Sequence, residues 1–230
     1  SKGEGLGNKF LANIRETDAI IHVLRCFDND NITHVDGSVD PVRDKEIIDI
    51  ELQLKDLESL SNRMEKVNRT AKSGDKDAVR EKEVLQKAID FIESSNNIRS
   101  INLDMPDINK YLKPLQLITS KPVLYVCNVD ENSINSTNNH VESVKSLINK
   151  EGANLIVLAA GIESEINELD DYEERRMFLD DLGLDIPGSS KLINATYDLL
   201  NLQTYFTAGP KEVRAWTIQK MATAPQAAGV

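Results

Sequence analysis

An asparagine follows an apolar strand in the segment Lys-Pro-Val-Leu-Tyr-Val-Cys-Asn-Val-Asp-Glu, residues 121–131. In open α/β sheets, ligands bind outside the carboxyl ends of the strands. Asn128 would leave the strand at that edge, where its amide could hydrogen-bond to a purine base. An asparagine in this position also commonly caps the next turn. The residues therefore predict either a nucleotide-base contact or a turn cap, and they leave both open.

The three histidines differ in the chemistry that their positions allow. His34 comes after a polar loop, residues 27–31 (Phe-Asp-Asn-Asp-Asn), at the end of an apolar strand, where mobile catalytic groups are often found. Its imidazole could orient or polarise a water molecule, or His34 could be an ordinary loop residue. His22 lies within the apolar strand and is expected to pack in the core, and His140 is expected at the surface.

Neither the acidic residues nor the cysteines predict a metal site. The acidic run at residues 163–174 is typical of a solvated helix face, because hard cations need convergent oxygen ligands and not a stripe. Cys26 and Cys127 lie at the ends of two different strands, with neither paired metal spacing nor a disulfide framework. Both are therefore expected to be buried thiols.

Three apolar runs, at residues 19–24, 123–127 and 155–160, alternate with helix-like stretches. Their near-continuous hydrophobicity predicts parallel strands buried on both faces, and hence an α/β fold. Hydrophobic residues make up 40% of the chain but aromatic residues only 5%, so Ile, Leu and Val must fill the core.

The segment between the first two strands has helical periodicity. Apolar residues recur at three- and four-residue steps in two stretches: Ile47, Ile50, Leu54, Leu57, Leu60, Met64 and Val67, then Leu85, Ile89 and Ile92. Residues 72–75 (Lys-Ser-Gly-Asp) supply a turn between them. The pattern predicts an antiparallel coiled-coil hairpin.

The end of that hairpin is basic although the whole chain has a net charge of −11. Residues 63–82 hold seven Lys or Arg residues and four Asp or Glu residues, which is a surplus of three positive charges. Such a run is typical of a solvated face, but Arg69, Lys72 and Lys76 are also candidates for contact with RNA phosphates.

Composition also bears on the general partners and the compartment. The acidic net charge argues against a general nucleic-acid coat, DNA included, and against an anionic membrane surface. The sequence has neither a run of about 18 apolar residues nor a basic-then-apolar leader, so a cytoplasmic protein is expected.

Several segments together resemble the YchF group of Obg-related P-loop ATPases, over essentially all 230 residues. The matching segments are residues 1–16, 17–27, 29–35, 72–77 and 202–209. The base reader of this group is Asn-x-x-Glu, which Asn128 and Glu131 match. Related GTPases have Asn-Lys-x-Asp, so Val129 in place of the lysine and Glu131 in place of the aspartate argue against strict guanine selection.

The resemblance implies a set of site residues. The implied nucleotide-binding residues are Asn128, Val129, Asp130, Glu131, Ala160 and Gly161. Among these, Val129 and Asp130 would supply backbone and stem contacts, and Ala160 and Gly161 would offer backbone N–H groups where GTPases have Ser-Ala-Lys. His34 would assist the attacking water, and Asn8 and Lys9 would lie beside the γ-phosphate switch.

The resemblance also implies what the sequence does not contain. No Gly-x-x-x-x-Gly-Lys-Ser/Thr segment occurs in the 230 residues, so the P-loop and the magnesium ligands are expected upstream of this chain. The implied fold is α/β: a partial P-loop NTPase sheet with an inserted coiled coil and the start of a β-rich TGS domain. The implied ranges are 1–41 and 111–200 for the nucleotide-binding domain, 42–110 for the coiled coil and 201–230 for the TGS domain. The partial sheet should expose an apolar edge.

The function that follows from the resemblance is a ribosome-associated hydrolase of ATP, with GTP as the other candidate nucleotide, and with magnesium. The alternative is a non-catalytic module in which the coiled coil and the TGS segment bind ribosomal RNA or protein.

Overall fold

A computed structural model describes residues 10–34 and 37–229 of the chain. The segment with Asn8 and Lys9 therefore lies outside the described residues. Contacts divide the chain into a helical unit, Ser1–Ile20 with Arg43–Pro122, and a sheet unit, Ile21–Val42 with Val123–Val230. This grouping differs from the four ranges implied by the sequence, which stay a prediction.

The main elements alternate between strands and helices along the chain. They are β1 (Ile20–Arg25), α1 (Pro41–Ala71), α2 (Lys76–Glu93), β2 (Val123–Asn128), α3 (Asn139–Glu151), β3 (Asn154–Leu158), α4 (Ala160–Glu168), α5 (Tyr172–Asp181), α6 (Gly188–Leu199), β4 (Leu202–Ala208) and β5 (Val213–Gln219). Short helical turns fill much of the chain between Ile98 and Ser120. Among the described residues, no helix is both long enough and apolar enough to cross a membrane.

In the helical unit, α1 and α2 form the predicted antiparallel hairpin. Gly74, in the connecting turn, has a φ of +85°, a conformation that favours glycine. Asp75 caps α2 by accepting a hydrogen bond from the N–H of Ala78 at 2.9 Å. With 31 residues, α1 is ~46 Å long at the usual rise of ~1.5 Å per residue.

The predicted apolar seam is confirmed only in the half of the hairpin nearer its turn. Leu60 and Val67 are buried against a cluster on α2 that includes Leu85 and Ile92, and Leu57, Met64 and Ile89 pack on it partly buried. For the half farther from the turn, the predicted seam was wrong. Ile47, Ile50 and Leu54 are 41%, 53% and 59% exposed.

Polar side chains take the buried positions at the base of α1 instead. Lys45 is 3% exposed and its ammonium lies 2.8 Å from the Asp49 carboxylate. Asn97 donates to Asp49 at 3.3 Å and accepts from Gln53 at 3.0 Å. Asp49 and Gln53 share a heptad spacing with Leu60 and Val67, so the face is continuous but changes from polar to apolar along the helix.

Asp56 is fully buried on this polar face. Its Oδ1 accepts from the Ile118 N–H at 2.9 Å, and its Oδ2 accepts from the Thr119 N–H at 2.7 Å and the Thr119 hydroxyl at 2.8 Å. Burial raises the pKa of Asp56, while these donors and Arg15 oppose that rise. Asp56 thus fixes the turn at Ile118–Ser120 onto α1.

In the sheet unit, the strand order is β1-β2-β3. β2 and β3 are parallel, with Asn128 opposite Leu158. All residues from Val123 to Cys127 are buried, as predicted. β1 differs, because Ile21 and Val23 are 41% and 60% exposed. Ile21 and Val23 lie on the same face of β1, so burial on both faces holds for β2 only, and the exposed apolar edge stays a prediction.

Helix α6 packs on the sheet, where Leu192, Ala195 and Leu199 cover a cluster of Leu124, Val126 and Leu158. β4 and β5 then form an antiparallel hairpin, with Tyr205 opposite Trp216.

Candidate functional site

Three backbone segments fix Asn128 at the carboxyl edge of the sheet. Its carbonyl accepts from the N–H of Cys26, just after β1, at 2.8 Å. The next residue, Val129, donates its N–H to the Leu158 carbonyl of β3 at 2.9 Å. Asn138 caps α3 through its Oδ1 and donates its Nδ2 to the Cys26 carbonyl at 2.8 Å. The main chain around Asn128 is therefore held in place before any ligand binds.

Cys26 and Cys127 are free and buried beside this point, as predicted. A hydrogen bond with Cys127, together with burial, raises the pKa of Cys26. The Cys26 thiol therefore stays protonated near neutral pH and is a poor nucleophile.

The amide of Asn128 has a defined orientation. Its Oδ1 accepts from the N–H of Ala160, the first residue of α4, at 2.9 Å. A backbone N–H must face an acceptor, so the oxygen points toward α4 and Nδ2 points away from it. No hydrogen bond from Nδ2 to another described residue is found. Asn128 can therefore cap the distant helix α4 and still offer an N–H pair to a ligand. It does not cap the next turn, which was the other interpretation of the sequence, because Asp130 caps that turn.

The residues after Asn128 differ in what they can offer. Val129 is 3% exposed and its N–H is taken by Leu158, so its side chain is packed inside and does not present the expected stem to a base. Asp130 accepts from the Ser133 N–H at 2.9 Å and caps a short turn. Glu131 is exposed at the start of that turn, where its carboxylate is accessible.

The loop at the start of α4 corrects one expectation. The N–H of Ala160 is already bound to Asn128, so it is not available to a base. Gly161 is exposed at the second position of the helix, and a Cβ there would meet nothing within 4 Å. N–H groups in a first helical turn have no partner within the helix, so Gly161 can donate to a ligand.

The loop that leads to His34 is built around Arg25, which sequence reasoning missed. The Arg25 guanidinium donates to the carbonyls of Phe27, Asn29 and Ile32 at 3.2, 3.2 and 3.0 Å. His34 follows this loop, half-buried, and its carbonyl accepts from Gly37 at 3.1 Å. Asn128 and Ala160 are thus brought together, whereas His34 belongs to a separate loop.

The other two histidines have ordinary surroundings. His22 is half-buried and its ring packs near that of Tyr125, with centroids 5.6 Å apart. His140 is half-buried rather than fully on the surface, and its Nε2 lies 3.2 Å from an Asp28 carboxylate oxygen.

Glu163 is a second residue that sequence reasoning missed, because it was counted with the acidic run. Its two carboxylate oxygens accept from the N–H groups of Gly188 and Ser189 at 2.5 and 2.9 Å. The sequence did contain a signal for this contact. Helix α6 starts with Pro-Gly-Ser-Ser, which has no carboxylate to accept from its first N–H groups, so a carboxylate from elsewhere in the chain could do so. Within residues 10–34 and 37–229, no group of three or more His, Cys, Asp or Glu side chains could hold a metal ion.

At the hairpin turn, the predicted basic residues keep their charge exposed. Arg63 pairs with Glu81 at 2.6 Å, and Arg80 pairs with Asp107 at 2.6 Å. The other five cations of residues 63–82 are exposed and form no ion pair with any residue in the described part of the chain; they are Lys66, Arg69, Lys72, Lys76 and Lys82. Unpaired cations therefore lie on both helices beside the turn, with Arg69, Lys72 and Lys76 nearest to it.

The family model, the sequence relatives and the solved structure that match this chain all carry the same family name, YchF. Residues 202–230 match the family model YchF-GTPase_C, described as a protein of unknown function (DUF933). The chain is 52% identical over 230 residues to the "Ribosome-binding ATPase YchF" of Haemophilus ducreyi, and 50% identical over 232 residues to that of Bacillus subtilis. It spans 62% and 63% of those two proteins.

A solved structure agrees with the sequence relatives. It is titled "Structure of the Schizosaccharomyces pombe YchF GTPase" and superposes with a TM-score of 0.86 at 33% identity. The match covers 97% of this chain and 61% of that one.

Proposed function

Since the chain belongs to the YchF family, we propose that it forms the base-recognition part of a ribosome-associated nucleotide hydrolase. The nucleotide would be ATP, with GTP as the second candidate, and the reaction would transfer the γ-phosphoryl group to water. The names of the relatives, which are ribosome-binding ATPases, support both the ATPase activity and ribosome binding. A cytoplasmic location follows from that role.

One observation carries the base-recognition role: the fixed orientation of the Asn128 amide. With Oδ1 bound to Ala160 at 2.9 Å, Nδ2 is the atom available for a purine, and N7 is an acceptor on either purine. Gly161 would add a backbone N–H, and Glu131 would shape the exposed side of the pocket. Asp130 would contribute through the turn that it caps, and Val129 through the packing beneath the site.

His34 would orient the attacking water. Its loop follows the carboxyl end of β1, the same edge of the sheet at which Asn128 lies. An imidazole there could accept a proton from water or hold the water by a hydrogen bond. The phosphate contacts would come from the P-loop that the family resemblance places upstream of residue 1.

Magnesium would come with the nucleotide, and its ligands would also lie upstream. The roles given to Asn128, Gly161 and His34 are toward the base and the attacking water, and none of these roles requires a metal ligand.

The contact with the ribosome would be made by the turn of the helical hairpin, acting as a coiled-coil arm. Arg69, Lys72 and Lys76 are exposed there without ion-pair partners in the described structure, which suits binding to ribosomal RNA phosphates. This surface also supports the second candidate function, a non-catalytic module that binds ribosomal RNA or protein through the hairpin and the TGS segment.

Nucleotide titration of the full-length gene product separates the two functions. Asn128→Asp keeps the oxygen that binds Ala160 but replaces the N–H pair by an anionic oxygen. It should weaken ATP binding by more than ~10-fold, because a hydrogen bond is lost and an acceptor then faces N7. Asn128→Gln serves as the control for displacement of the amide. An unmodified protein that binds neither ATP nor GTP would leave the interaction module as the function.

A further inference from the structure

The loop that meets Asn128 is held from a second side by Glu163. The Glu163 carboxylate with the N–H groups of Gly188 and Ser189 is called here the Glu163 clamp. It joins the first turn of α4 to the start of α6 through two hydrogen bonds, at 2.5 and 2.9 Å. Because α6 is packed on the sheet through Leu192, the clamp fixes α4 to a rigid support.

The absence of a side chain at residue 188 is required for this arrangement. A Cβ at Gly188 would lie 2.9 Å from Glu163 Oε1 and 2.9 Å from the Cβ of Leu158. Both distances are too short for carbon, so any larger residue would push the start of α6 away from Glu163. Leu158 itself ends β3 opposite Asn128, so the strand end, the clamp and the asparagine form one packed group.

We infer that Glu163 is a positioning residue for purine recognition, acting through α4 on the amide of Asn128. Asn128 Oδ1 bonds to Ala160, and Glu163 lies one turn further along the same helix. If α4 shifts, the N–H that orients the Asn128 amide shifts with it, and Nδ2 loses its fixed direction. This inference rests on the proposed base-binding role of Asn128.

The test compares ATP with 7-deaza-ATP, which lacks the N7 acceptor, in titrations of the full-length gene product. The unmodified protein should bind ATP about 10-fold more tightly, as expected for one hydrogen bond to N7. Glu163→Gln turns one clamp acceptor into a donor facing an N–H, so the preference for ATP should fall to less than about 3-fold. Gly188→Ala should have the same effect from the other side of the clamp.

Glu165→Gln is the matched control, because Glu165 is exposed on the same helix and loses the same charge. It should keep the full preference. A Glu163→Gln protein that loses affinity for both nucleotides equally, or melts earlier with its preference intact, would show that the clamp is merely structural. Equal binding of ATP and 7-deaza-ATP by the unmodified protein would overturn the roles of Asn128 and Glu163 together. Failure to bind either nucleotide would overturn the proposed function itself.

Discussion

In the proposed site, Asn128 would use the two ends of one side chain for different purposes. Its oxygen caps α4 through Ala160 at 2.9 Å, and its amino group faces away from that contact. Capping reduces the freedom of the side chain before a ligand arrives, so less conformational entropy is lost on binding. Asn is suited to this double role because Asp has no donor and Ser has a single oxygen for both directions.

At the same scale, the proposed role of His34 in turnover can be tested. His34→Ala in the full-length gene product should lower kcat at least ~10-fold and leave ATP affinity nearly unchanged, because the water and not the base loses its partner. Steady-state hydrolysis and equilibrium titration measure the two effects separately. His140→Ala is the matched control, and a parallel loss of affinity in His34→Ala would identify His34 as a structural loop residue.

Asp56 is the residue whose replacement should most affect the helical unit. In Asp56→Asn an amino group would face either the Ile118 N–H or the Thr119 donors, leaving buried donors unpaired. The free energy of unfolding should fall by ~2–4 kcal/mol. Urea denaturation followed by circular dichroism measures this loss. Glu58→Gln, an exposed change two residues away, should cost far less, and a similar cost for both would contradict the role of Asp56.

At the scale of elements, the sequence predicted the helices, their turn and the three strands, but not which side of α1 is buried. Ile47, Ile50 and Leu54 form a regular apolar row, and periodicity alone favours that row as the seam. The structure buries Lys45, Gln53 and Asp56 instead. The partners of Gln53 and Asp56, which are Asn97 and Thr119, come from distant segments, and a local pattern contains no information about such partners.

Some residues of the candidate site could likewise be predicted from the sequence and others could not. Asn128 and Gly161 could be predicted, since a strand end and a loop glycine are visible in the sequence. Arg25, Asn138 and Glu163 could not, because they act through hydrogen bonds to main-chain atoms that only the fold brings near. Residue type carries little signal for such contacts.

The stability that α2 gains from its contact with Lys110 and Tyr111 should depend on pH. Asp77 accepts hydrogen bonds from Lys110 and Tyr111, and these lower the pKa of Asp77. Because the pKa of Asp77 is lower in the folded chain than in the unfolded chain, its hydrogen bonds stabilise the fold above the unfolded-state pKa of about 3.9. This stabilisation is lost as the pH falls through the folded-state pKa of Asp77. Asp77→Asn should therefore be less stable than the unmodified chain at pH 7, with a difference that shrinks toward pH 3.

Urea midpoints at several pH values measure that difference. Glu65→Gln, at an exposed position of the same hairpin, is the control for a general change of charge. A stability difference between Asp77→Asn and the unmodified chain that is the same at pH 7 and pH 3 would contradict the coupling to Lys110 and Tyr111.

At the scale of the whole molecule, charge is distributed unevenly. The net charge is −11, yet the turn of the helical hairpin exposes cations without partners in the described structure. Nucleic acid repels a protein of negative net charge but attracts a local positive surface. The protein should therefore approach nucleic acid with that surface facing it. Arg63 pairs with Glu81 across the hairpin and Arg80 pairs with Asp107 in the segment after it, so neither is available for that role.

Charge reversal at the turn tests whether it contacts RNA. A full-length protein with Arg69→Glu, Lys72→Glu and Lys76→Glu should bind ribosomes more weakly in co-sedimentation. The slope of log affinity against log salt concentration is negative, and each phosphate contact makes it steeper because the contact releases a counterion. If each of the three residues contacts one phosphate, the magnitude of this slope should decrease by about 2–3. The control reverses three exposed lysines away from the turn: Lys87, Lys113 and Lys211. It changes the net charge equally, so a loss of slope as large as that of the turn variant would mean that overall charge, and not the turn, governs binding. An unchanged slope in the turn variant would remove the RNA contact from the hairpin.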